Sequence, residues 1–328
     1  MKQETILSGV QATGRMHIGN YLGALKQFVD IQNEGKLQCY FFVADLHALT
    51  VPRDPKKLRQ DTLEVVAEYI AAGLDPEKSV IFVQNHVLEH AELAWIFNCI
   101  TPIGELERMT QFKDKGRDQK DSVNAGLLTY PTLMAADILL YKPSFVPVGE
   151  DQVQHIELAR IIARKFNKQF GEVFPEPKPF MRKPLRIMSL KDPAKKMSKT
   201  GDDPIYLDDM PSEIQAKLKK AVTATGGEGS ASTSEGVENL MFLMEQFGDA
   251  VVTAQFRSAI KDGSIKYSEL KATLADSIAD YFAEFRDKKQ ALLDDKQKIA
   301  QILADGAEKA RGLAQKTMHE VKEKTGLL

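Results

Sequence analysis

The residues near the start of the chain that could bind an anion form the segment HIGN at residues 17–20. They follow an apolar run of strand length at residues 6–10 and a loop that contains Gly14. Apolar residues then recur at three- and four-residue steps, which predicts an amphipathic helix. Unpaired N–H groups at a helix N-terminus bind anions, and glycine lets the backbone approach a ligand. The spacing matches neither the dinucleotide fingerprint nor the P-loop, so the segment by itself is also compatible with a purely architectural role.

A second segment that could do chemistry is the basic run between residues 178 and 199, which leads into the sequence KMSKT at residues 196–200. The run contains eight basic residues and a single acid, Asp192. One interpretation is a solvated charged surface. The other is an electropositive loop that binds phosphates, which we favour because of the motif that ends the run.

A carboxylate within an apolar helix is the third feature. Asp137 lies in a helix predicted over residues 131–141. Its neighbours at three- and four-residue steps are largely apolar: Leu133, Met134, Leu140 and Tyr141. A carboxylate on such a face must be paired or hydrogen-bonded. From spacing alone, a structural bond to a backbone N–H group or to an arginine is the favoured interpretation.

The sequence HVLEH at residues 86–90 matches the HxxEH pattern of a class of zinc hydrolases. That pattern binds zinc only when both histidines share one helical face, whereas here the helix is predicted to begin near Glu89. No third ligand is evident in the sequence, so we predict no metal site and keep a zinc hydrolase as a distant alternative. His47, which follows a predicted strand at residues 40–44, either lines a pocket or packs in the core.

Strands alternate with helices through the first two thirds of the chain, which predicts an α/β fold. The predicted strands are residues 6–10, 40–44, 79–83, 145–148 and 186–190. The predicted helices are residues 54–73, 89–99, 131–141 and 150–166, then 208–222, 268–293 and 296–324. Residues 1–207 are therefore predicted to form a Rossmann-like, parallel-sheet nucleotide-binding domain, with ligands at the carboxyl ends of the strands. Residues 208–328 are predicted to form a smaller all-helical domain with a mobile loop at 226–232, and its last helix either stays there or packs back on the catalytic domain.

The 328 residues are 43% hydrophobic and 27% charged, as in ordinary globular proteins. The net charge is −2, and residues 208–328 carry 17 Lys and Arg against 20 Asp and Glu. An RNA partner must therefore be held by local basic clusters. No apolar run reaches membrane-spanning length, the N-terminus lacks a signal-peptide profile, and Cys39 and Cys99 form no CxxC pair. We therefore expect a cytoplasmic protein.

HIGN and KMSKT, in this order and about a domain apart, resemble the HIGH and KMSKS signatures of class I aminoacyl-tRNA synthetases. Segments at residues 104–113, 127–141 and 146–152 resemble the bacterial tryptophanyl-tRNA synthetases in particular. The resemblance covers essentially the whole chain, most specifically residues 5–200. It implies a ligase that forms tryptophanyl-adenylate and pyrophosphate from L-tryptophan and ATP with Mg²⁺, then transfers the tryptophanyl group to tRNA(Trp). It also implies a homodimer in which the helical domain of one protomer meets the anticodon.

The resemblance assigns roles to individual residues. Asp137 is implied to accept the indole N–H of tryptophan, which suits a group with one donor and no acceptor. The other residues implied to bind tryptophan are Met134, Tyr130, Gln152 and His47. Those implied to bind ATP are Gln11, Ala12, Thr13, Gly19, Asn20, Gly149, Glu150, Asp151, Ile187, Lys196, Met197, Ser198, Lys199 and Thr200. Those implied to act in catalysis are His17, Lys113, Lys196 and Lys199.

The implied reaction needs no general base, because the attacking carboxylate of tryptophan is already ionised at pH 7. Catalysis then consists of positioning the reactants and neutralising charge on the phosphates, a role for lysines, N–H groups and Mg²⁺. Asn20 in place of the last histidine of HIGH is usual for this branch, and Thr200 keeps the hydroxyl of the usual serine. The KMSKT loop is expected to be mobile without ligand and to close over ATP.

Two alternatives to this function stay open beside the zinc hydrolase. A tyrosyl-tRNA synthetase shares the class, and a catalytically silent, synthetase-like RNA-binding protein would share the fold. The intact HIGN and KMSKT motifs argue against the silent protein. For the tryptophan enzyme, the apolar neighbours of Asp137 are expected to leave its carboxylate short of partners until indole binds.

Overall fold

The computed structural model describes residues 4–110, 112, 123–147, 149, 152–180, 185, 187–198, 204–223 and 234–328. Its strands are β1 (Thr5–Gln11), β2 (Gln38–Ala44), β3 (Ser79–Val83), β4 (Phe145–Pro147) and β5 (Lys178–Phe180). They form one sheet in the order β3-β2-β1-β4-β5, and every neighbouring pair is parallel. The α/β fold with a parallel sheet, predicted from the sequence, is confirmed.

Strands β2 and β3 are apolar because both of their faces are covered, as is usual in parallel sheets. Six of the seven residues of β2 are buried, and all five of β3 are buried. Gly9 in β1 faces the ring of Phe42, and a Cβ at this position would lie 2.5 Å from the ring. Glycine at position 9 therefore allows the close packing of β1 against β2.

Helices precede, connect and follow these strands. Helix α1 (Ile18–Asn20) continues through a π-helical segment (Tyr21–Leu25) into α2 (Lys26–Glu34). The next helices are α3 (Asp45–Ala48), α4 (Pro55–Ala71), α5 (Glu89–Ile100), α6 (Ile103–Glu107), α7 (Ala125–Leu139) and α8 (Val153–Phe170). The remaining ones are α9 (Pro211–Lys219), α10 (Glu235–Phe247), α11 (Ala250–Asp262), α12 (Tyr267–Tyr281), α13 (Ala283–Asp294) and α14 (Lys296–Thr325). Among the described residues after 207, only helices and loops occur, as predicted.

Helix α4 begins and ends where local signals predict. The Asp54 side chain accepts a hydrogen bond from the N–H of Lys57, and Pro55 occupies the first turn. Gly73, with a φ of 113°, follows the end of the helix. These are the residue types that cap helices, and they are recognisable without knowing the tertiary structure.

The strand predicted at residues 186–190 is wrong. In the described part of this segment, Met188 forms only an isolated antiparallel bridge with Lys196. The fifth strand lies earlier, at Lys178–Phe180, and pairs with β4. Its proline and lysine are unusual in a strand interior, but β5 is an edge strand, where proline is tolerated. Helix α7 also begins six residues before the predicted start, because Asn124 caps it and Pro131 lies within it.

By their internal contacts, the residues group into two compact units. One comprises Met1–Gly14, Phe28–Lys183 and Leu292–Leu328, and the other comprises Arg15–Gln27 and Pro184–Ala291. We call them the sheet unit and the helical unit. The functional boundary between residues 207 and 208 stays a prediction. The glycine-rich segment predicted to be mobile, at residues 226–232, lies outside the described residues.

Helix α14 packs within the sheet unit. Gly306 approaches β3 so closely that a Cβ there would overlap the carbonyl oxygen of Ile81. The guanidinium of Arg311 donates to the carbonyl of His86 at 2.8 Å, and Lys322 pairs with Glu92 at 2.7 Å. A truncation near residue 208 would therefore strip a packed helix from the sheet unit as well as removing residues of the helical unit.

The helical unit has an aromatic cluster in its core. The hydroxyls of Tyr21 and Tyr281 are 2.9 Å apart, and the ring of Phe282 contacts both tyrosine rings edge-on. Phe247 adds a further edge-on contact to Tyr281. Tyr21, in the π-helical segment, is therefore held by the end of α12 and by Phe282 through side-chain contacts. Among the described helices, none is long and apolar enough to span a membrane.

Candidate active site

The carboxylate of Asp137 is the centre of a buried hydrogen-bond network in the sheet unit. Its Oδ1 accepts from Gln84 Nε2 at 2.6 Å and from His90 Nδ1 at 2.6 Å, and its Oδ2 contacts His47 Nε2 at 2.7 Å. Asp137 is 2% exposed. The expectation that this carboxylate is short of partners was wrong. Its helical neighbours are apolar, but its partners come from α3, α5 and the segment that follows β3.

The charge state of Asp137 follows from the balance of burial and histidine contacts. Burial by itself raises the pKa of a carboxyl group, because it disfavours the charged form. Here His47 and His90 outweigh burial and hold the pKa of Asp137 well below its ordinary value. Asp137 is therefore ionised at neutral pH, and it is an acceptor of hydrogen bonds only.

His90 links Asp137 to a tyrosine. Its Nε2 lies 2.8 Å from the hydroxyl of Tyr141, and its ring packs among the rings of Phe42, Phe82 and Tyr141 at centroid distances of 5.4 to 6.1 Å. Burial, followed by the nearby charge of Asp137, raises the pKa of the Tyr141 hydroxyl well above its ordinary value. The tyrosine therefore stays protonated at neutral pH.

Two aromatic side chains lie beside this network. The Tyr130 hydroxyl is 2.8 Å from Nε2 of His155, and burial raises the pKa of this hydroxyl. The rings of His47 and Tyr130 meet edge-on at 6.3 Å. The structure thus brings three of the residues predicted to bind tryptophan together: Asp137, His47 and Tyr130. Met134 is half-buried on α7, one turn before Asp137, and Gln152 is half-buried just before α8.

The zinc motif does not form a metal site. Both ring nitrogens of His90 are occupied, by Asp137 and Tyr141. His86 lies in a short 3-10 turn, exposed and outside helix α5. In the part of the chain that the structure describes, no group of three or more His, Cys, Asp or Glu side chains could hold a metal ion.

The HIGN segment, in which His17 and Ile18 are buried, is held within the helical unit by its own side chains and by residues 205–207. His17 Nδ1 accepts from the N–H of Gly19 at 3.0 Å, and Asn20 Oδ1 accepts from the N–H of His17 at 3.2 Å. The Ile18 N–H donates to Ile205, and the Leu207 N–H donates to Met16, both through backbone carbonyls. A Cβ at Gly19 would lie 2.8 Å from the His17 ring, so only glycine allows this arrangement.

The base of the KMSKT segment forms a short antiparallel hairpin with residues 187–189. The Met197 N–H donates to the Ile187 carbonyl at 2.9 Å, and the Ser189 N–H donates to Lys195 at 2.8 Å. The side-chain amide of Asn239 in α10 accepts from the N–H of Met188 and donates to its carbonyl. It therefore pairs with this backbone in the way that a neighbouring strand would. Met197 is buried, while the Lys196 side chain is exposed. This pairing explains why residues 186–190 look like a strand in sequence.

The remaining predicted ATP residues fall into three groups. Gln11 is the last residue of β1, Ala12 and Thr13 follow it, and the Thr13 N–H donates to the carbonyl of Gln11. Gly149 is exposed after β4, and its carbonyl accepts from the N–H of Gln152. Ser198 is half-buried next to Met197, whereas Glu150, Asp151, Lys199 and Thr200 lie outside the described residues. Lys113, predicted to act in catalysis, also lies outside them.

Sequence reasoning missed Gln84, His90, Tyr141 and His155 as members of the site. A signal for Gln84 was present, because it is the first polar residue after an apolar strand of a parallel sheet, at the end where ligands bind. His90 was considered only as part of the zinc pattern. No local signal distinguishes Tyr141 or His155 from ordinary core residues.

The sequence and the fold of this chain are similar to those of known tRNA synthetases. A family model described as tRNA synthetases class I (W and Y) matches residues 2–283. The tryptophan–tRNA ligase of Caldanaerobacter subterraneus subsp. tengcongensis is 47% identical, and the match covers 98% of each chain. That of Clostridium tetani is 44% identical over 99% of this chain and 96% of its own. The crystal structure of tryptophanyl-tRNA synthetase from Campylobacter jejuni complexed with ADP and tryptophan is 36% identical, with a TM-score of 0.88 over 98% of this chain and 99% of that one.

Proposed function

The chain belongs to the class I tRNA synthetases for tryptophan and tyrosine, and within that family we propose that it is a tryptophan–tRNA ligase. The observation that carries this proposal is the buried, ionised carboxylate of Asp137. An acceptor-only group in an apolar site selects a side chain that brings a single donor, which the indole N–H does. The relatives named tryptophan–tRNA ligase, at 44 to 47% identity over nearly the whole chain, support the same assignment.

The first half-reaction is attack by the carboxylate of L-tryptophan on the α-phosphorus of ATP. The bond from this phosphorus to the bridging oxygen breaks, pyrophosphate leaves, and tryptophanyl-adenylate remains. Because the nucleophile is already ionised, the protein has to orient the two substrates and neutralise the phosphates. We assign orientation of tryptophan to Asp137, with Tyr130, Met134, His47 and Gln152 around it.

We assign ATP binding to the loops at the carboxyl end of β1 and after β4, and to the HIGN and KMSKT segments. His17, whose Nδ1 accepts from the Gly19 N–H, is proposed to donate to phosphate. The exposed Lys196, with Lys113 and Lys199, is proposed to neutralise phosphate charge. Mg²⁺ is proposed to bind through the ATP phosphates, the usual mode for this ion. Since ATP and tRNA are both substrates, we expect the protein to act in the cytoplasm.

The second half-reaction transfers the tryptophanyl group to the 3′-terminal ribose of tRNA(Trp). The net charge of residues 208–328 is negative, so a local basic cluster must meet the RNA. Lys219 and Lys220 are exposed at the end of α9, and the Lys271 ammonium lies 3.4 Å from the Lys219 carbonyl oxygen. We propose that these three lysines form part of the anticodon-binding surface.

Replacing both Lys219 and Lys220 by Glu is expected to raise the KM for tRNA about tenfold or more, because phosphate contacts provide most of the affinity for nucleic acid. Tryptophan-dependent exchange between ATP and pyrophosphate should not change. Lys296→Glu with Lys298→Glu introduces the same charge change on α14 and is the control. Equal tRNA kinetics in the two double variants would argue against this surface.

We propose that the protein forms a homodimer through the outer surface of α5 and the start of α6. Leu88, Trp95 and Ile103 are 77%, 69% and 63% exposed in the sheet unit, although large apolar side chains are normally buried. An aromatic anchor surrounded by aliphatic residues is typical of interfaces between proteins.

Trp95→Asp is expected to weaken dimerisation at least about tenfold, because it places a charge in the centre of an apolar contact. Sedimentation velocity at micromolar concentration measures this change. Val251→Asp alters a similarly exposed apolar residue in the helical unit and is the matched control. A wild-type monomer would contradict the proposal, as would a Trp95→Asp variant that dimerises normally.

The function is tested by ATP–pyrophosphate exchange with each of the twenty amino acids. Exchange that depends on tryptophan alone supports the tryptophan enzyme. Exchange with tyrosine instead would make the protein a tyrosyl-tRNA synthetase, and exchange with no amino acid would support the silent RNA-binding alternative.

A further inference from the structure

We propose that Gln84, His90 and Tyr141 are positioning residues for tryptophan selection, which lock Asp137 so that Oδ2 alone is left to accept the indole N–H. This inference rests on the proposed function and extends it to three residues that do not contact the reacting atoms. It is carried by the geometry of the hydrogen bonds to Asp137 and by the burial of every group involved.

The two oxygens of Asp137 have unequal capacity. Each carboxylate oxygen has two lone pairs, so the group accepts about four hydrogen bonds in all. Oδ1 receives two donors, from Gln84 and His90, and is saturated. Oδ2 receives one, from His47, and keeps one direction for a further donor. The described structure thus distinguishes the oxygen that the protein saturates from the oxygen that can accept a further donor.

The orientation of the Gln84 side chain is fixed by the backbone of α3. The N–H of Leu46 donates to Gln84 Oε1 at 3.1 Å, so the amide nitrogen must face Asp137. Gln84 is 0% exposed, so bulk solvent does not reach either end of the amide. Its neighbour Asn85 is also bonded to α3, because its backbone N–H and its side-chain amide both donate to the carboxylate of Asp45. Gln84 therefore acts as a rigid donor rather than an adaptable one.

The tautomer of His90 is set by its two partners. An ionised Asp137 requires the proton on Nδ1, and the Tyr141 hydroxyl supplies a donor for Nε2. In this arrangement the chain runs from the Tyr141 O–H to His90 and from His90 Nδ1–H to Asp137, and every buried polar atom in it is satisfied. The aromatic rings packed around His90 prevent the imidazole from turning.

The consequence for selection is that the carboxylate cannot rotate to suit a misplaced ligand. A rotation about the bond to the carboxylate would break two buried hydrogen bonds at Oδ1, and each buried donor left unpaired is costly. A substrate whose donor lies at the right place fills the remaining acceptor direction of Oδ2. An analogue of the same shape without a donor leaves this charged oxygen unsatisfied. A site that leaves a buried polar group unpaired rejects such analogues strongly.

The test compares tryptophan with 3-(3-benzothienyl)alanine, in which sulfur replaces the indole N–H. The readout is the ratio of kcat/KM for the two amino acids in ATP–pyrophosphate exchange, measured for wild type and for Tyr141→Phe. We expect a wild-type ratio of about 10- to 150-fold, the range for a hydrogen bond to a charged group, and a ratio about three- to tenfold smaller in Tyr141→Phe. The KM for ATP should stay constant.

Control variants separate positioning from stability. Tyr40→Phe removes the hydroxyl of a buried tyrosine whose ring lies 5.5 Å from Tyr141, and it should leave the ratio unchanged. If Tyr141→Phe does not fold, the comparison moves to His90: His90→Asn keeps a donor near the position of Nδ1 and should preserve more of the ratio than His90→Leu.

Each outcome supports or overturns the inference. A loss of kcat/KM that falls equally on the two amino acids would leave the ratio unchanged, which means that these residues only stabilise the fold. The same ratio in His90→Asn and His90→Leu would also overturn it. A wild-type protein that activates neither amino acid would instead refute the proposed function, so the two failures are distinguishable.

Discussion

Lys199→Ala is expected to lower the rate of tryptophanyl-adenylate formation by ~10²-fold or more, the range lost when one charge-stabilising donor is deleted. The reaction spreads negative charge over the phosphates as pyrophosphate leaves, and no general base contributes. We therefore expect lysines of the KMSKT segment to supply a large part of the stabilisation. Tryptophan binding without ATP should change little, because we assign tryptophan specificity to Asp137.

Lys195→Ala is the matched control for this prediction. Lys195 is next to the motif and carries the same charge, but its ammonium already pairs with Asp192 at 2.8 Å. Its removal should change the rate less than threefold. Single-turnover measurements of adenylate formation separate the chemical step from product release. If Lys199→Ala stays within threefold of wild type, this segment does not carry the charge neutralisation that we assign to it.

Asp137→Asn is expected to lower kcat/KM for tryptophan by about 10- to 150-fold, because a hydrogen bond to a charged acceptor contributes roughly 1.5 to 3 kcal/mol. Discrimination against phenylalanine, which offers no donor, should fall with it. The KM for ATP should change little. Steady-state exchange kinetics with each substrate varied in turn measure all three quantities. Equal losses for ATP and tryptophan, or intact tryptophan binding, would make Asp137 a structural carboxylate.

The asparagine variant is preferred to Asp137→Ala because of the three donors around the carboxylate. Alanine would leave Gln84, His90 and His47 unpaired in the core, at a cost of about 1 to 3 kcal/mol for each unsatisfied group. The enzyme could then lose activity by unfolding. Measured urea unfolding should show a larger loss of stability for Asp137→Ala than for Asp137→Asn.

The pH dependence of stability has a definite sign at this site. The pKa of Asp137 is lower in the folded protein than in the unfolded chain, because His47 and His90 outweigh burial. Its stabilising contribution is therefore present above the unfolded value of about 3.9 and is lost as the pH falls through the folded value. Asp137→Asn should weaken the acid dependence of the free energy of unfolding below pH ~4.

The sequence by itself determined the features that depend on residues close together in the chain. The apolar run of β2 predicts a strand with both faces covered, and Asp54 with Pro55 predicts the start of α4. The HIGN and KMSKT segments indicated the family, because their residue types and order are distinctive. Each of these signals arises from local periodicity, capping or a short motif, so no knowledge of distant contacts was needed.

Only the tertiary structure decided which groups surround Asp137 and where the last helix packs. The partners of Asp137 come from three different elements: Gln84, His90 and His47. The sequence of the helix that carries Asp137 does not predict these contacts. Likewise, Gly306 is predicted to destabilise the helix that contains it, because glycine has a low helix propensity. Its close contact with Ile81 in β3, which requires glycine, is known only from the tertiary structure. A hydrogen bond or a close backbone contact between residues far apart in the chain leaves no periodic pattern in either segment. This is why sequence reasoning found Asp137 and His47 as separate candidates but neither their contact nor the partners Gln84 and His90.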